Sequence, residues 1–486
     1  MKTLLKNAKV VNVFSCELEK VNVLIQGDTI IGVGDYLDTE ADFVVDLQDK
    51  IIAPSFIDGH IHIESTMLTP YELAKSVLSH GTSAIVADPH EIANVCGVDG
   101  IKYMLEASKN LPLDVFVMIP SCVPATSLDE SGAELRAKDI LPLYELDRVL
   151  GLAEMMNYVG VIYNDKEVLQ KLKDAKKLSK IINGHAPLLS GKDLDKYILQ
   201  GVMDDHECSN IAEAKEKIKK GQRVMIRQGT AAKNLKDLIG LFEYPWCDRC
   251  LFVSDDKHPA DIINNGHIDE VIRLAISLGA NPINAIKMAT KVACEAFNLK
   301  DRGAVAVGYK ADLVVLDNLE NISVKTVIKN GKVVVDNGKV IGFDKPIISK
   351  ELDNKVRNTF NLSMLKDTDF IIEPKGKTCR VIDIVKGQLL TNEKIVELDF
   401  EKNNGIDIKK DIIKLAVIER HKNTGHKGVG FITGLSINCG AIASSVSHDS
   451  HNLIIVGENE QDMAFAGNEI IKMGGGCVVV KNLKVF

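Results

Sequence analysis

Hydrophobic and polar residues alternate in short runs over residues 1–53 of the chain. The run Val21–Ile25, followed by the turn-forming pair Gly27-Asp28, is typical of a small antiparallel β unit. A unit of this size is too small to bury both faces of a sheet by itself. The same alternation returns in residues 303–345, where Asn330-Gly331 predicts a tight hairpin. We therefore expect both segments to build one β-sandwich domain.

Residues 54–302 have a different pattern, in which short apolar runs alternate with helical patterns such as Pro70–Leu78 and Lys166–Lys177. The spacing is close to the ~30 residues of a βα unit. Strands are predicted at Phe56–His62, Ser83–Ala87, Val115–Ile119, Gly151–Glu154, Ile181–Gly184, Gly201–Asp204, Arg223–Ile226 and Leu251–Val253. Eight such units in about 250 residues predict a (β/α)8 TIM-like barrel. The alternative is an open doubly wound sheet, but no Gly-x-Gly-x-x-Gly follows the first strand.

Residues 346–486 are predicted to form a third, C-terminal α+β domain. Its pattern predicts strands at Thr378–Val385 and Lys394–Asp399, an amphipathic helix at Gln461–Met473, and the start of a hairpin at Val478–Val485. The predicted fold class is thus α/β, with a TIM-like barrel, a β-sandwich and this last domain.

Composition and charge argue against a nucleic-acid-binding, membrane or secreted protein. The chain has 486 residues, which is enough for two or three domains, and 45% of them are hydrophobic. A net charge of -8 argues against a nucleic-acid partner, because phosphate binding needs a basic surface. No apolar run approaches the ~20 residues that span a bilayer, so no membrane partner is expected. We also see no secretory signal pattern and expect a cytoplasmic protein.

Ionisable side chains stand where the predicted barrel strands end. His60 and His62 are two positions apart on one strand, so their side chains share a face. Other strands end in Asp88-Pro89-His90-Glu91, Glu154, His185, Asp204-Asp205-His206-Glu207 and Ser254-Asp255-Asp256. Because active sites of this fold lie at the strand C-termini, and buried charge is costly unless paired or metal-bound, the set predicts a metal site.

Four histidines and two carboxylates are enough for two divalent ions. One ion would take His60, His62 and Asp255, and the other His185 and His206, with Glu154 and a hydroxide bridging them. A hydroxide generated in this way would attack an sp² carbon. Asp255 would then accept a proton and deliver it to the leaving group.

Longer motifs around these residues resemble a known family. They are Ile61–Pro70, Ala87–Val95, Pro120–Ala125, Gly151–Asn157, Asn183–Pro187, Ile226–Gly229, Ser254–Pro259 and Gly440–Asn452. The ligand order resembles that of the amidohydrolase superfamily of metal-dependent hydrolases, and the loops resemble its adenine deaminase branch. The resemblance extends over essentially the whole chain. The chain departs from that branch at Gln228, where glutamate is usual, and at Ser254, where threonine is usual. Relatives also usually run on past the last hairpin.

The resemblance implies hydrolysis of adenine to hypoxanthine and ammonia in purine salvage. It implies two divalent metal ions, Mn²⁺ first, with Fe²⁺ or Zn²⁺ as alternatives, and Glu154 where many superfamily members carry a carboxylated lysine. It also implies a homodimer or a higher homo-oligomer. Two other functions stay open: another two-metal cyclic amidohydrolase or N-deacylase, and a truncated inactive relative.

Several residue roles keep alternatives. Asp255, Glu207 and His206 are the predicted catalytic residues, with Glu207 either orienting His206 or protonating a ring nitrogen of adenine. Asp88, His90, Glu91 and His258 are the predicted substrate contacts. Asp88 could instead cap a helix, and His258 could be a surface residue.

A further polar cluster, His448, Asp449 and His451, lies in the predicted C-terminal domain. It fits a loop satisfied by its own hydrogen bonds, or a segment that reaches over the barrel mouth.

Overall fold

A computed structural model of the chain describes residues 1–386 and 391–486. The chain divides into two compact units. The first consists of Met1–Pro89, Met104–Cys122 and Arg136–Ile348, and the second of His90–Tyr103, Val123–Leu135 and Ser349–Phe486. Among the described residues, no helix combines the length and apolar character needed to cross a membrane.

The first unit begins with β-strands. They are β1 (Lys2–Asn12), β2 (Glu17–Gln26), β3 (Thr29–Gly34), β4 (Phe43–Asp46) and β5 (Ile51–Pro54). β1 pairs antiparallel with β2 and parallel with β4 and β5. The alternation that predicted these strands places residues such as Val23 and Ile25 in a buried core.

Parallel strands and helices follow in alternation. The strands are β6 (Phe56–Ile61), β7 (Thr82–Ala87), β8 (Asp114–Ile119), β9 (Val149–Met155), β10 (Ile181–Gly184), β11 (Asp204–Asp205), β12 (Arg223–Arg227) and β13 (Cys250–Val253). The helices are α1 (Pro70–Leu78), α2 (His90–Ala107), α3 (Ala137–Ile140), α4 (Tyr158–Ile162), α5 (Lys166–Lys177), α6 (Gly191–Leu199), α7 (Ile211–Lys219), α8 (Pro259–Asn265), α9 (Ile268–Ser277), α10 (Pro282–Lys287) and α11 (Ala293–Ala296).

These parallel strands form a curled sheet in chain order. β6 to β10 pair in one run and β11 to β13 in another. A backbone hydrogen bond from Met203 to Ile182 (3.4 Å) links the two runs. At the other end, Ile61 and Asp255 form a parallel bridge, and the Asp255 N–H donates to the His60 carbonyl at 2.9 Å. Strand C-termini therefore converge on one end of the sheet, and the apolar side chains of Ile57, Val86 and other strand residues form its core.

Strands from the second β segment join the first sheet. They are β14 (Leu313–Leu316), β15 (Val324–Lys329), β16 (Lys332–Asp336) and β17 (Lys339–Val340). β14 pairs antiparallel with β5, so residues from both sides of the parallel strands share one sheet. The hairpin predicted at Asn330-Gly331 is confirmed: Lys329 pairs with Lys332, and both turn residues have positive φ. The domain boundaries themselves stay predictions.

The second unit contains most of the chain after residue 348. Its elements are α12 (Lys350–Val356), β18 (Thr378–Ile384), β19 (Thr391–Glu397), α13 (Phe400–Asn403), β20 (Ile413–Ile418), β21 (Lys427–Thr433), β22 (Ala441–Ser444), β23 (Leu453–Gly457), α14 (Glu460–Met473), β24 (Cys477–Lys481) and β25 (Lys484–Val485). In the described residues the strands form one mostly antiparallel sheet, in the order β19-β18-β21-β20-β23-β22-β24-β25. Buried residues of α14, such as Met463 and Ile470, pack in the core with Ile455 of this sheet.

Two sequence predictions need correction. The strand predicted at Gly201–Asp204 is instead the short β11, because Gly201, with φ of 97°, belongs to the turn that ends α6. The hairpin predicted only to start at Val478–Val485 is complete: β24 and β25 pair around Asn482 and Leu483, which both have positive φ.

Candidate metal centre

His60 and His62 lie at the C-terminal end of β6, with only 1% and 3% of their surfaces exposed. Their ring centroids are 4.6 Å apart and their planes are almost perpendicular. Both Nε2 atoms face the same two carboxylates, as the shared strand face predicts. The His60 Nε2 lies 3.6 Å from Asp255 Oδ1, and the His62 Nε2 lies 3.1 Å from the same oxygen.

Glu154, near the end of β9, lies between two pairs of histidines. Its Oε1 is 3.8 Å from His60 Nε2 and 3.5 Å from His62 Nε2. Its Oε2 is 2.6 Å from His185 Nδ1 and 3.1 Å from His206 Nε2. Each carboxylate oxygen thus faces one pair, which is the placement a bridging carboxylate requires.

Backbone geometry brings His185 into this group. A Cβ on the preceding residue, Gly184, would lie 2.2 Å from the Asp204 carbonyl oxygen, so close pairing at the end of β10 requires glycine there. The His185 N–H donates to the Tyr197 hydroxyl at 3.0 Å, and that hydroxyl donates to the Met155 carbonyl at 2.8 Å. These bonds fix the residue that follows β10.

Asp255 follows β13 and connects the histidines to an arginine. Its Oδ2 lies 3.0 Å from Arg227 Nη1, while Oδ1 faces the histidines of β6. Arg227 also contacts both oxygens of Glu207, with Nη2 2.7 Å from Oε2. Asp255 has φ of 56°, a left-handed conformation that Asp and Asn tolerate better than most residues.

The arrangement of donors and acceptors fits a divalent cation. The Asp88 carbonyl can only accept a hydrogen bond, so the His62 Nδ1, 3.0 Å away, donates, and Nε2 faces Asp255 as a donor when protonated or as a metal ligand when not. Histidines that bind metals are commonly oriented in this way. The buried His60 Nε2 has no hydrogen-bond partner in the described part of the chain. Lone pairs and carboxylates that face one another need positive charge between them.

The electrostatics of the cluster point the same way. Burial raises the pKa of the Glu154 carboxyl, but His206 and His185 more than offset this effect and hold its pKa well below the usual range. Burial lowers the pKa of His206, yet Glu154 and Glu207 raise it well above its ordinary value. For Asp255, burial raises the pKa, but His60, His62 and His206 together hold it well below its usual range. Ionised carboxylates are therefore stable here only beside positive charge.

Two positioning groups in the site were not predicted from the sequence. The first is Asp58 in β6, whose carboxylate accepts from the Ser254 N–H at 3.0 Å and from its hydroxyl at 2.5 Å, and lies 3.0 Å from His267 Nε2. It holds the first and last parallel strands together beneath the ligands. The second is Arg227, which the pattern showed only as part of a motif. A charged residue inside an apolar strand run is the signal that could have identified Asp58.

The predicted substrate contacts belong to two different units. Asp88 is buried in the first unit, and Pro89 is the residue that flanks the start of α2. Capping and substrate contact both stay predictions for Asp88. His258 is exposed, and its N–H donates to Thr230 Oγ1 at 2.8 Å. His90 and Glu91 belong to the second unit, where His90 lies 3.4 Å from Asp449 and Glu91 lies 2.5 Å from His448.

Comparison with known proteins identifies the family. Residues 51–334 match the amidohydrolase family, and residues 388–486 match the adenine deaminase C-terminal domain. Adenine deaminase of Clostridium acetobutylicum is 46% identical over 99% of this chain and 84% of its own length. The adenine deaminase of Desulfatibacillum aliphaticivorans is 44% identical over the same shares of the two chains.

Solved structures show the same type of fold. Dihydropyrimidinase from Brevibacillus agri superposes with a TM-score of 0.54 at 16% identity, covering 70% of this chain and 96% of its own. A β-aspartyl dipeptidase from Fervidobacterium islandicum gives 0.54 at 18% identity, covering 71% and 100%. The curled parallel sheet with its separate sheet domains is thus the TIM-barrel-like fold of amidohydrolases. From the family matches and the full-length relatives together, the chain belongs to the adenine deaminase branch of the amidohydrolase family.

Proposed function

We propose that the chain hydrolyses adenine to hypoxanthine and ammonia. The observation that carries this proposal is the agreement, over 99% of the chain, with relatives named adenine deaminase. The cluster of histidines and carboxylates at the strand ends supports it independently, because it offers the residue types that metal-dependent hydrolysis needs. The alternative of an inactive relative has no support among the predicted ligands, since every one is present.

Divalent metal binding follows from the family and from the His/Asp cluster. We propose two ions, with Mn²⁺ as the native metal. His60, His62 and Asp255 would hold one, His185 and His206 the other, and Glu154 would bridge them. When bound, such ions make hydroxide available at neutral pH and stabilise negative charge that develops on the substrate.

Side chains of the site would supply the proton transfers. Asp255 would accept a proton from the attacking water and deliver it to the amino group, which leaves as ammonia. Arg227 would hold the second oxygen of Asp255, leaving Oδ1 to face the reaction. Glu207 lies 3.3 Å from His206 Nε2, the nitrogen that also faces Glu154, and it binds Arg227 through both oxygens. Both of its predicted roles, orienting His206 and protonating a ring nitrogen of adenine, therefore stay open. Asp88, His90, Glu91 and His258 stay predicted substrate contacts.

We also propose that the parallel strands close into a complete barrel. Closure of β6 to β13 into a complete (β/α)8 barrel is supported by the Ile61–Asp255 bridge and by the Met203–Ile182 hydrogen bond. The β-sandwich, the homodimer or higher oligomer, the cytoplasmic location and the role in purine salvage stay predictions from the sequence.

The direct test is an assay of the metal-loaded chain with adenine. We expect stoichiometric ammonia and hypoxanthine, measured by coupled ammonia detection and by chromatography. Dihydrouracil and an N-acylated amino acid serve as parallel substrates, because the open alternatives would cleave a cyclic amide or an N-acyl bond. Hydrolysis of either, with adenine untouched, would refute the proposal.

Replacing Arg227 with lysine tests its positioning role. Lysine keeps the charge but cannot bind Glu207 through two parallel bonds while also holding Asp255. We expect kcat to fall roughly 10- to 100-fold, with bound metal unchanged, since misplaced catalytic groups cost about that much. Arg223→Lys, the same change at the other end of β12, is the matched control. A kcat equal to that of the unaltered enzyme would exclude the role.

A further inference from the structure

The second unit contains a group of side chains of the types that bind metals, which we name the Glu91 cluster: Glu91, His448 and His451. One ligand atom from each residue lies within 4.8 Å of the others. Glu91 Oε1 is 2.5 Å from His448 Nδ1, and Glu91 Oε2 is 3.4 Å from His451 Nε2. The Glu91 side chain is only 1% exposed, and a carboxylate buried to that degree requires a positive partner.

The protonation state of His451 determines whether a metal ion can be a positive partner of the Glu91 carboxylate. Its Nδ1 lies 3.2 Å from the Ser445 carbonyl, which can only accept, so Nδ1 carries the proton. When the ring is neutral, the lone pair of Nε2 faces Glu91 Oε2 at 3.4 Å. In that form two acceptors face each other in a buried site, and a metal ion between them would satisfy both. A histidine with one nitrogen bonded to a backbone carbonyl and the other facing a carboxylate has the arrangement of a metal ligand.

We propose that Glu91, His448 and His451 bind one divalent transition-metal ion, in addition to those of the first unit. Two imidazoles and one carboxylate suit Zn²⁺, Mn²⁺ or Fe²⁺. Neighbouring ligands of a tetrahedral ion lie roughly 3.4 Å apart, a value that follows from metal–nitrogen bonds of about 2.1 Å. The Glu91–His451 separation already has this value, whereas Glu91 and His448 lie at a hydrogen-bond distance of 2.5 Å, so the partly exposed His448 ring would move outward to admit the ion. The His448 side chain is 36% exposed and leaves a route for the ion to enter.

The surrounding backbone holds the ligands in place before any ion binds. The His451 N–H donates to the Ser447 carbonyl at 2.7 Å, and Arg420 Nε donates to the His451 carbonyl at 2.7 Å. Glu91 lies in the first turn of α2. An ion at this position would connect that turn to the loop between β22 and β23, both within the second unit, and would stabilise the pair.

Metal content of the full chain tests the proposal without reference to activity. In a His60→Gln/His206→Gln background, which removes ligands of the first unit's centre, we expect about one ion per chain after Mn²⁺ or Zn²⁺ loading and desalting, measured by plasma mass spectrometry. Adding His451→Gln should reduce this to near zero. Adding His426→Gln instead, an exposed histidine of the same unit, should leave it unchanged.

A second measurement guards against misfolding of the triple variant. In the otherwise unaltered chain, His448→Gln changes a partly exposed side chain and should lower the total by one ion, with unchanged circular dichroism. If the background binds no metal, or if His448→Gln and His451→Gln leave the content unchanged, the proposal is overturned. The cluster would then be a carboxylate with a protonated imidazole.

Discussion

Replacing Asp255 with asparagine should reduce adenine deamination about 1,000-fold, the middle of the range for loss of a general acid–base group. Asparagine keeps the shape of the side chain but cannot accept the proton of the attacking water, and it takes one negative charge from the metal ligands. The backbone should tolerate the change, because residue 255 has φ of 56° and asparagine adopts that region readily. The loss would therefore report chemistry rather than unfolding.

Steady-state kinetics and metal analysis of the same preparation give the measurement. Asp237→Asn, an identical change at an exposed position of the same unit, should retain the activity of the unaltered enzyme. We expect the Asp255→Asn variant to lose kcat even at metal concentrations that restore its full content. Activity within tenfold of the unaltered enzyme at full metal content would contradict the role of Asp255 in proton transfer.

Replacing Lys217 with alanine should destabilise the first unit by about 3 to 5 kcal/mol, the usual cost of breaking a buried ion pair. Lys217 in α7 is fully buried, and its ammonium contacts Asp205 and lies 2.8 Å from both Glu213 and the Ala186 carbonyl. The alanine variant leaves the Asp205 carboxylate buried without its counterion. Because Asp205 also accepts from the N–H groups of Ala186 and Glu207, the loops that carry the ligands should loosen as well.

Thermal denaturation of metal-free protein measures this effect. We expect the transition of the variant to shift down by about 5 to 10 °C. Lys219→Ala, on the exposed side of the same helix, should change the transition by less than about 1 °C. Equal transitions for the two variants would show that the ion pair contributes nothing to stability.

Much of the fold can be predicted from the sequence, because burial of one face of a helix or strand dictates the spacing of its apolar residues. The predicted helices Pro70–Leu78 and Lys166–Lys177 and the strand Ile181–Gly184 have the predicted bounds. The strand predicted at Gly201–Asp204 was wrong because apolar character alone does not distinguish a buried connection from a strand. The two-unit division, with segments from the first half of the chain in the second unit, depends on tertiary packing that no local pattern encodes.

The candidate site was predictable to the extent that its residues end strands. His60, His62, Glu154, His185, His206 and Asp255 do converge, since the carboxyl ends of parallel strands meet at one end of the sheet. The contacts of Arg227 with Glu207 and Asp255, and those of Asp58 with Ser254, join residues far apart in sequence. Side-chain pairs of this kind have no periodicity, so only the three-dimensional structure reveals them.

The interleaving of the two units limits how the protein can be divided for experiments. Residues 90–103 and 123–135 belong to the unit that otherwise begins at residue 349, and α2 contributes residues to both units. A fragment that ends at residue 348 would carry these two segments without the sheet that completes their unit. The two units therefore cannot be separated by cutting the chain at one position. Their functions should be studied by point substitution in the intact chain.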